Sequence, residues 1–269
     1  NAFDLGLFEL CVIAALALQV AANLINEYAD YRRGADALKE AGQGMVIKQA
    51  MLTPQRVLYG AVMTMLVGIA IGVFLLFQSG PLLLWIGLGG VLVVITYTAG
   101  PFPLAYHGLG EAAVFVFMGP LMVLGTYYIM SGGQVGWTPV LVGVPIGLMV
   151  AAILHANNIR DIDADRAANK RTLAVRFGLR FARAEYVGLV GGAYVLTALL
   201  VLSGTMPWPT LLVLLTIPEA YRLMRVFLTS RDTALLHKAQ GGTARLHGRF
   251  GLWLVAGWLE ALAGQRLVG

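Results

Sequence analysis

Charge is what this chain has least of: 12% of its residues are Asp, Glu, Lys or Arg, against about 25% in an ordinary soluble domain. Together with 58% apolar residues and a mean hydropathy of +0.76, that scarcity excludes a soluble globular domain and predicts an all-α integral membrane protein. Cysteine is nearly absent. Cys11 stands alone in an apolar run, which excludes an internal disulfide and makes it a lipid-facing or core thiol. No basic segment precedes the first apolar run and the chain opens on Asn1, so no signal peptide is predicted. No nucleic-acid partner is expected, and nothing in the sequence speaks to oligomeric state.

The apolar residues fall into eight runs: Leu5 to Asn26, Val57 to Phe77, Leu82 to Ala99, Ala112 to Met130, Pro139 to Asn157, Tyr186 to Leu202, Thr210 to Leu228 and Arg249 to Leu262. A spanning helix needs about 20 residues, and most of these qualify. A bundle of eight spans is therefore expected. Basic residues test that count, because they collect in loops on the cytoplasmic side. The turns Gln78 to Pro81, Ser131 to Thr138 and Ser203 to Pro207 contain no Lys or Arg, and eight spans put every basic residue except Arg266 on one face. The expected location is a multi-pass position in the cell membrane, with those loops cytoplasmic and lipid around the bundle.

Two stretches on that face echo each other, NLINEYADYRRGAD (Asn23 to Asp36) and HANNIRDIDADRAANKRTL (His155 to Leu173). Asn26 and Asp30 are four apart, as are Asn157, Asp161 and Asp165, so each set lies on one helix face. Gly34 is expected to end the first helix and let the chain carry Asp36 back. Carboxylate and amide oxygens suit a hard cation such as magnesium, which takes one or two carboxylates and leaves its other positions to water and phosphate. Two such faces could hold a diphosphate between them. The plainer alternative is that Asp30, Asp36, Asp161 and Asp165 solvate helix ends or pair with Arg32, Arg33, Arg160 and Arg166. Recurrence of the same face on the same side, each time followed by basic residues, favours the metal reading. Both motifs close spans four apart, which suggests a duplicated four-helix unit.

With these motifs the sequence resembles the UbiA superfamily of intramembrane aromatic prenyltransferases, whose members carry an Asn-x-x-x-Asp-rich motif in one loop and an Asp-x-x-x-Asp motif in another. Here they read NEYADYRRGAD and NNIRDIDADR. YTAGPFPLAYHGLGE (Tyr97 to Glu111), GQGMVIKQAMLTP (Gly42 to Pro54) and NKRTLAVRFG (Asn169 to Gly178) bring the resemblance closest to the menaquinone-pathway 1,4-dihydroxy-2-naphthoate polyprenyltransferases. In that family the first motif follows the second of nine spanning helices. Here it follows the first run, so residues 1–269 are expected to form a single polytopic domain that is N-terminally incomplete. Glu27 and Met45 stand at variable places.

The resemblance implies a lateral, lipid-facing cavity. In it a polyprenyl diphosphate binds through Mg2+ held by Asn26, Asp30, Asp36, Asn157, Asp161 and Asp165, and dihydroxynaphthoate accepts the prenyl group to give demethylmenaquinone. The metal neutralises the leaving group. Asn23, Asn26, Lys48, Arg160 and Lys170 would contact the diphosphate. Tyr97, Phe115 or Tyr127 could stabilise the allylic cation through cation–π contact; Tyr97 is preferred because it ends its span on the motif face. Tyr106, His107 and Glu111 are candidates for binding the acidic acceptor or taking its proton. Against that, Gly100, Pro101 and Pro103 could simply make a tight turn with a wet tip. The absence of basic residues in this loop separates the chain from 4-hydroxybenzoate enzymes, though that acceptor and homogentisate stay open. Glu219, an intramembrane carboxylate, is a functional candidate or a partner of Arg222. It also keeps a transporter as the rival class, although transporter sites lie near the midplane.

Overall fold

The computed structural model describes residues 3–35 and 45–268, and among them every regular element is helical. In order these are α1 (Leu5–Arg32), α2 (Pro54–Ser79), α3 (Leu82–Thr96), a 3-10 turn (Leu104–His107), α4 (Gly110–Met118), α5 (Pro120–Met130), α6 (Trp137–Arg160), α7 (Ile162–Ala167), α8 (Leu173–Leu202), a 3-10 segment (Trp208–Thr216), α9 (Ile217–Thr229) and α10 (Thr233–Val268). Local chemistry sets several boundaries. The Asp4 carboxylate accepts the Leu7 N–H at 3.0 Å to start α1, and the hydroxyls of Thr53 and Thr172 accept from Arg56 and Val175 to start α2 and α8. Gly34, at φ +70°, ends the first helix as its position predicts, and the Ala35 N–H returns to the Asp30 carbonyl. Asp36 itself lies outside the described residues.

The eight expected spans are resolved unequally. Five helical stretches are long and apolar enough to cross a membrane: Leu5–Arg32, Pro54–Ser79, Gly110–Met130, Trp137–Arg160 and Leu173–Leu202. The third run yields only the 15 residues of α3, about 22 Å of helix against about 30 Å of hydrocarbon. The seventh run is not one helix but the 3-10 segment followed by α9, with Pro209 and Pro218 in the first turns of the two pieces. Each proline lacks the N–H that a continuous ladder needs. The eighth is the distal part of the 36-residue α10, whose first half carries His237, Lys238, Arg245 and Arg249. Glu219 pairs across to Arg249 at 2.7 Å rather than one turn on to Arg222, and so belongs to the joint between α9 and α10.

Side-chain packing concentrates in α6, α8, α9 and α10, where Met149, Tyr186, Phe227, Leu246 and Phe250 are fully buried. The buried phenols keep polar partners: Tyr186 meets the Thr243 hydroxyl at 2.7 Å and Tyr194 meets Thr216 at 2.6 Å. α6 crosses the α4–α5 junction at backbone contact. A Cβ on Gly143 would stand 2.7 Å from the Pro120 Cα, and one on Gly147 would stand 2.6 Å from the Phe115 carbonyl. This small-x-x-x-small pair lets the helices touch. α1 to α5 and one face of α6 enclose instead a cavity of about 970 Å³.

Candidate active site

The cavity has an apolar body and one polar end. Leu18, Ile69, Leu83, Val94, Phe117 and Leu121 line the body, and Asn23, Asn26, Glu27, Tyr97, Asn157, Arg160, Asp161 and Lys170 gather at the end where α1, α3 and α6 finish. Behind them a small polar chamber of about 40 Å³ shares Asn26, Tyr97, Asn157 and Lys170 and adds Glu111 and Asn158. The two asparagine motifs therefore face one space, although α1 and α6 are distant in sequence. Of the candidate aromatics only Tyr97 lines the cavity. Phe115 packs on Gly147, and Tyr127 is exposed.

Lys170 joins the motifs. Its Nζ stands 3.5 Å from Asp30 Oδ2 and 3.9 Å from Asp165 Oδ1, and all three side chains are buried. One cation is thus shared by a carboxylate from each motif, in a place where removing the lysine would take a common counter-charge from both. Tyr106 donates its hydroxyl to Asp30 Oδ1 at 2.8 Å. Burial, then the charge and hydrogen bond of Asp30, raise the Tyr106 pKa above the usual phenol range, with Arg33 opposing, so it stays a donor. Arg33 stacks 4.7 Å from the Tyr106 ring centroid and donates to the carbonyls of Thr98 and Gly100, while the Arg171 N–H meets the Tyr106 carbonyl at 3.2 Å. The loop between α3 and α4 thus clamps the ends of both motifs.

The second motif is not on one continuous helix as expected. α6 stops at Arg160 and α7 begins at Ile162, with the break at Asp161. Backbone bonds from Asp161 to Asn157 at 3.0 Å and from Asp165 to Asp161 at 2.8 Å carry the four-residue spacing across it. Arg160 is buried, and each guanidinium nitrogen has a protein partner. Nε and Nη2 reach the two oxygens of Asp161 at 2.6 and 2.5 Å, Nη2 also reaches Asn157 Oδ1 at 2.6 Å, and Nη1 reaches Gln240 Oε1 and His237. A phosphate contact from Arg160 would have to displace one of these. Of the arginine pairings weighed above, only Arg160 with Asp161 is formed among the described contacts; Arg166 pairs with exposed Asp163.

The acceptor candidates part ways. Glu111 lines the small chamber and is held by Asn158 Nδ2 at 2.7 Å and His155 Nδ1 at 3.2 Å. His107 turns away: its Nδ1 sits 2.8 Å from the Pro103 carbonyl and its ring stacks on Phe102 at 3.8 Å, so it fastens the turn. Lys48 is exposed beyond the cavity lining. Asn23 faces the cavity, with Gln19 one turn back at 3.5 Å. Sequence reasoning passed over His155, Asn158 and Gln240, and treated Glu27 as a variable place. Glu27 is buried and its carboxylate accepts the Ile47 N–H at 2.8 Å, tying the loop after the first motif to α1. The available signal was a run of polar side chains in apolar helices, where each needs a partner or a purpose.

The donor set fits magnesium. Among the described residues no three His, Cys, Asp or Glu are clustered as a ready cage, but magnesium uses one or two carboxylates and fills its shell with water and substrate phosphate. Asn26 Oδ1 is buried beside the chamber with no protein partner, as an oxygen reserved for a ligand would be.

An apolar cavity with one end of oxygens and cations, set among helices long and apolar enough to cross a membrane, marks a membrane protein with room for an amphiphile. A model of the UbiA prenyltransferase family matches residues 1–241, and the chain belongs to that family. It is an intramembrane prenyltransferase. The 1,4-dihydroxy-2-naphthoate octaprenyltransferase of Bacillus subtilis (strain 168) is 32% identical over 95% of this chain and 82% of its own length. The protein of the same name from Mycobacterium tuberculosis (strain ATCC 25618 / H37Rv) is 38% identical over 74% and 67%. Human UbiA prenyltransferase domain-containing protein 1 is 33% identical over 95% and 73%. A solved structure of digeranylgeranylglyceryl phosphate synthase shares the fold at TM-score 0.58 and 14% identity, covering 94% of this chain and 86% of that one.

Proposed function

We propose that the protein transfers a polyprenyl group from polyprenyl diphosphate to 1,4-dihydroxy-2-naphthoate, with Mg2+, at the cytoplasmic face of a cell membrane. The observation that carries this reading is a single space whose polar end is lined by Asn26 of the first motif and Asn157 and Asp161 of the second, and whose body is apolar; the names of the relatives supply the acceptor. Asn26, Asp30, Asn157, Asp161 and Asp165, with Asp36 from outside the described residues, would hold the metal. Bound magnesium would offset the charge of the departing diphosphate.

The protein's own groups do the rest. Lys170 holds the motif carboxylates together and adds a cation beside the phosphates. The prenyl C–O bond breaks with its electron pair leaving on the diphosphate, and the apolar walls keep water from the allylic cation until a ring carbon of the acceptor bonds to it; that carbon then releases its proton, or its carboxyl group as CO2, and the ring regains its aromaticity. Tyr97 lines both cavity and chamber, and its ring would stabilise that cation. Glu111, fixed by Asn158 and His155, is the group placed to orient the acceptor or take its proton.

The test is prenyl transfer by purified protein in lipid, with octaprenyl diphosphate and each of three acceptors, beside Asp30→Ala and Asp161→Ala. Product from dihydroxynaphthoate that disappears in both variants and on chelation is the expected result. Turnover of 4-hydroxybenzoate or homogentisate instead would remove the acceptor assignment and leave the mechanism. No transfer to any acceptor would remove both.

A further inference from the structure

The body of the cavity has a wall with side chains missing at regular depths. Leu83, Gly87, Gly90 and Val94 fall at four-, three- and four-residue steps, which put them on one face of α3, and all line the cavity. Trp85 and Leu92, which do not line it, are exposed. On α2, Gly72 lines the same space. A Cβ added at Gly72, Gly87 or Gly90 would meet nothing within 4 Å, whereas one at Gly68 would strike the Leu18 side chain at 2.8 Å. Gly68 is therefore a packing contact. The other three border open space on the cavity side.

Their depths are ordered. Tyr97 and Asn26 both line the polar chamber and mark its level on α3 and α1. At 1.5 Å per residue, Gly90 lies about 10 Å and Gly87 about 15 Å below Tyr97. Leu18 lies about 12 Å below Asn26 and touches Gly68, which puts Gly72, one turn further, at about 18 Å. An extended isoprene unit, four carbon–carbon bonds of about 1.5 Å, spans about 5 Å. The three glycines thus stand beside the second, third and fourth units of a tail whose head is at the motifs.

The geometry points to Gly90, Gly87 and Gly72 as determinants of donor chain length: their missing side chains admit the tail past these depths, and bulk at each would stop it there. This inference rests on the prenyl-transfer reading and adds which residues set the tail. Leucine at a helical glycine also gains helix propensity, so the substitutions fill space without weakening α2 or α3.

The experiment measures kcat/KM for geranyl, farnesyl, geranylgeranyl and octaprenyl diphosphates with parent protein, Gly90→Leu, Gly87→Leu and Gly72→Leu. Gly188→Leu serves as control, on a helix outside the cavity and with nothing within 4 Å of its Cβ. The expected result is unchanged geranyl transfer in every protein, which also reports folding. For longer donors a loss of at least tenfold should begin after two units in Gly90→Leu, three in Gly87→Leu and three to four in Gly72→Leu, with none in Gly188→Leu. Length profiles that coincide with the parent's would overturn the inference and leave prenyl transfer standing. So would a uniform loss at all lengths in the three variants. A parent inactive with every donor would overturn the function and the inference together.

Discussion

The half of the molecule from α1 to α5 is built around a space, and the half from α6 to α10 around side chains. α3 buries none of its residues and α1 only Ala21, Glu27, Ala29 and Asp30, whereas α6 buries Met149, Ala152, His155 and Ile159 among others. In water an apolar void of this size would be heavily destabilising. In a bilayer, lipid tails are as apolar as leucine, so helices gain little by excluding them. A hollow half is then cheap and free to be shaped for a substrate, and the packed half holds the second motif rigid against it. What unites them is polar: Lys170 between Asp30 and Asp165, and the Tyr106 loop across both motifs.

The largest effect is expected at that joint. Lys170→Met removes the cation that two buried carboxylates share, and prenyl transfer should fall at least about a hundredfold, the scale of losing a group that stabilises developing charge. Parental rates in steady-state assays would mean that the halves do not depend on this cation. Next comes packing. Phe227→Ala in the packed half should cost about 3 to 5 kcal/mol, read by denaturant unfolding in micelles, while Phe117→Ala on the cavity wall should cost little and change donor KM instead. Equal losses from the two would erase the contrast. Gln240→Ala, which leaves the Arg160 Nη1 with His237 alone and loosens Asn157, should lower transfer about tenfold, a loss of about 1.4 kcal/mol, and raise the magnesium needed for half-maximal rate. An unchanged magnesium dependence would show that α10 merely lies against the motif. The smallest effect is at Glu219→Gln, whose partner Arg249 is largely exposed: stability should move by less than about 1 kcal/mol, with transfer unaltered. A collapse of activity there would reopen the membrane interior as a site.

Much of this was legible in the sequence because it is local. The stop at Gly34 and the four-residue spacing of Asn26 with Asp30 are set by residues within one or two turns, and each appears where expected. The seventh run was misjudged as one helix because hydropathy counts apolar residues and does not register Pro218 breaking the ladder inside it. His107 looked as eligible for chemistry as Tyr106, one residue away. The turn sends one ring to its own Pro103 carbonyl and the other to Asp30, 76 residues distant.

The sequence by itself determined that the chain is built of helices apolar enough to cross a membrane, and that two oxygen-rich motifs close two of them. Those properties follow from transfer free energies and helical periodicity, which act along the chain. Only the tertiary structure decided which charges meet: that Lys170 reaches Asp30 across 140 residues, that Arg160 is occupied by Asp161, Asn157 and Gln240, and that three glycines open onto a cavity. An ion pair, a filled guanidinium and an empty volume depend on how helices pack against one another, and that packing is fixed by contacts such as Gly143 and Gly147 against the α4–α5 junction, far in sequence from the groups they align.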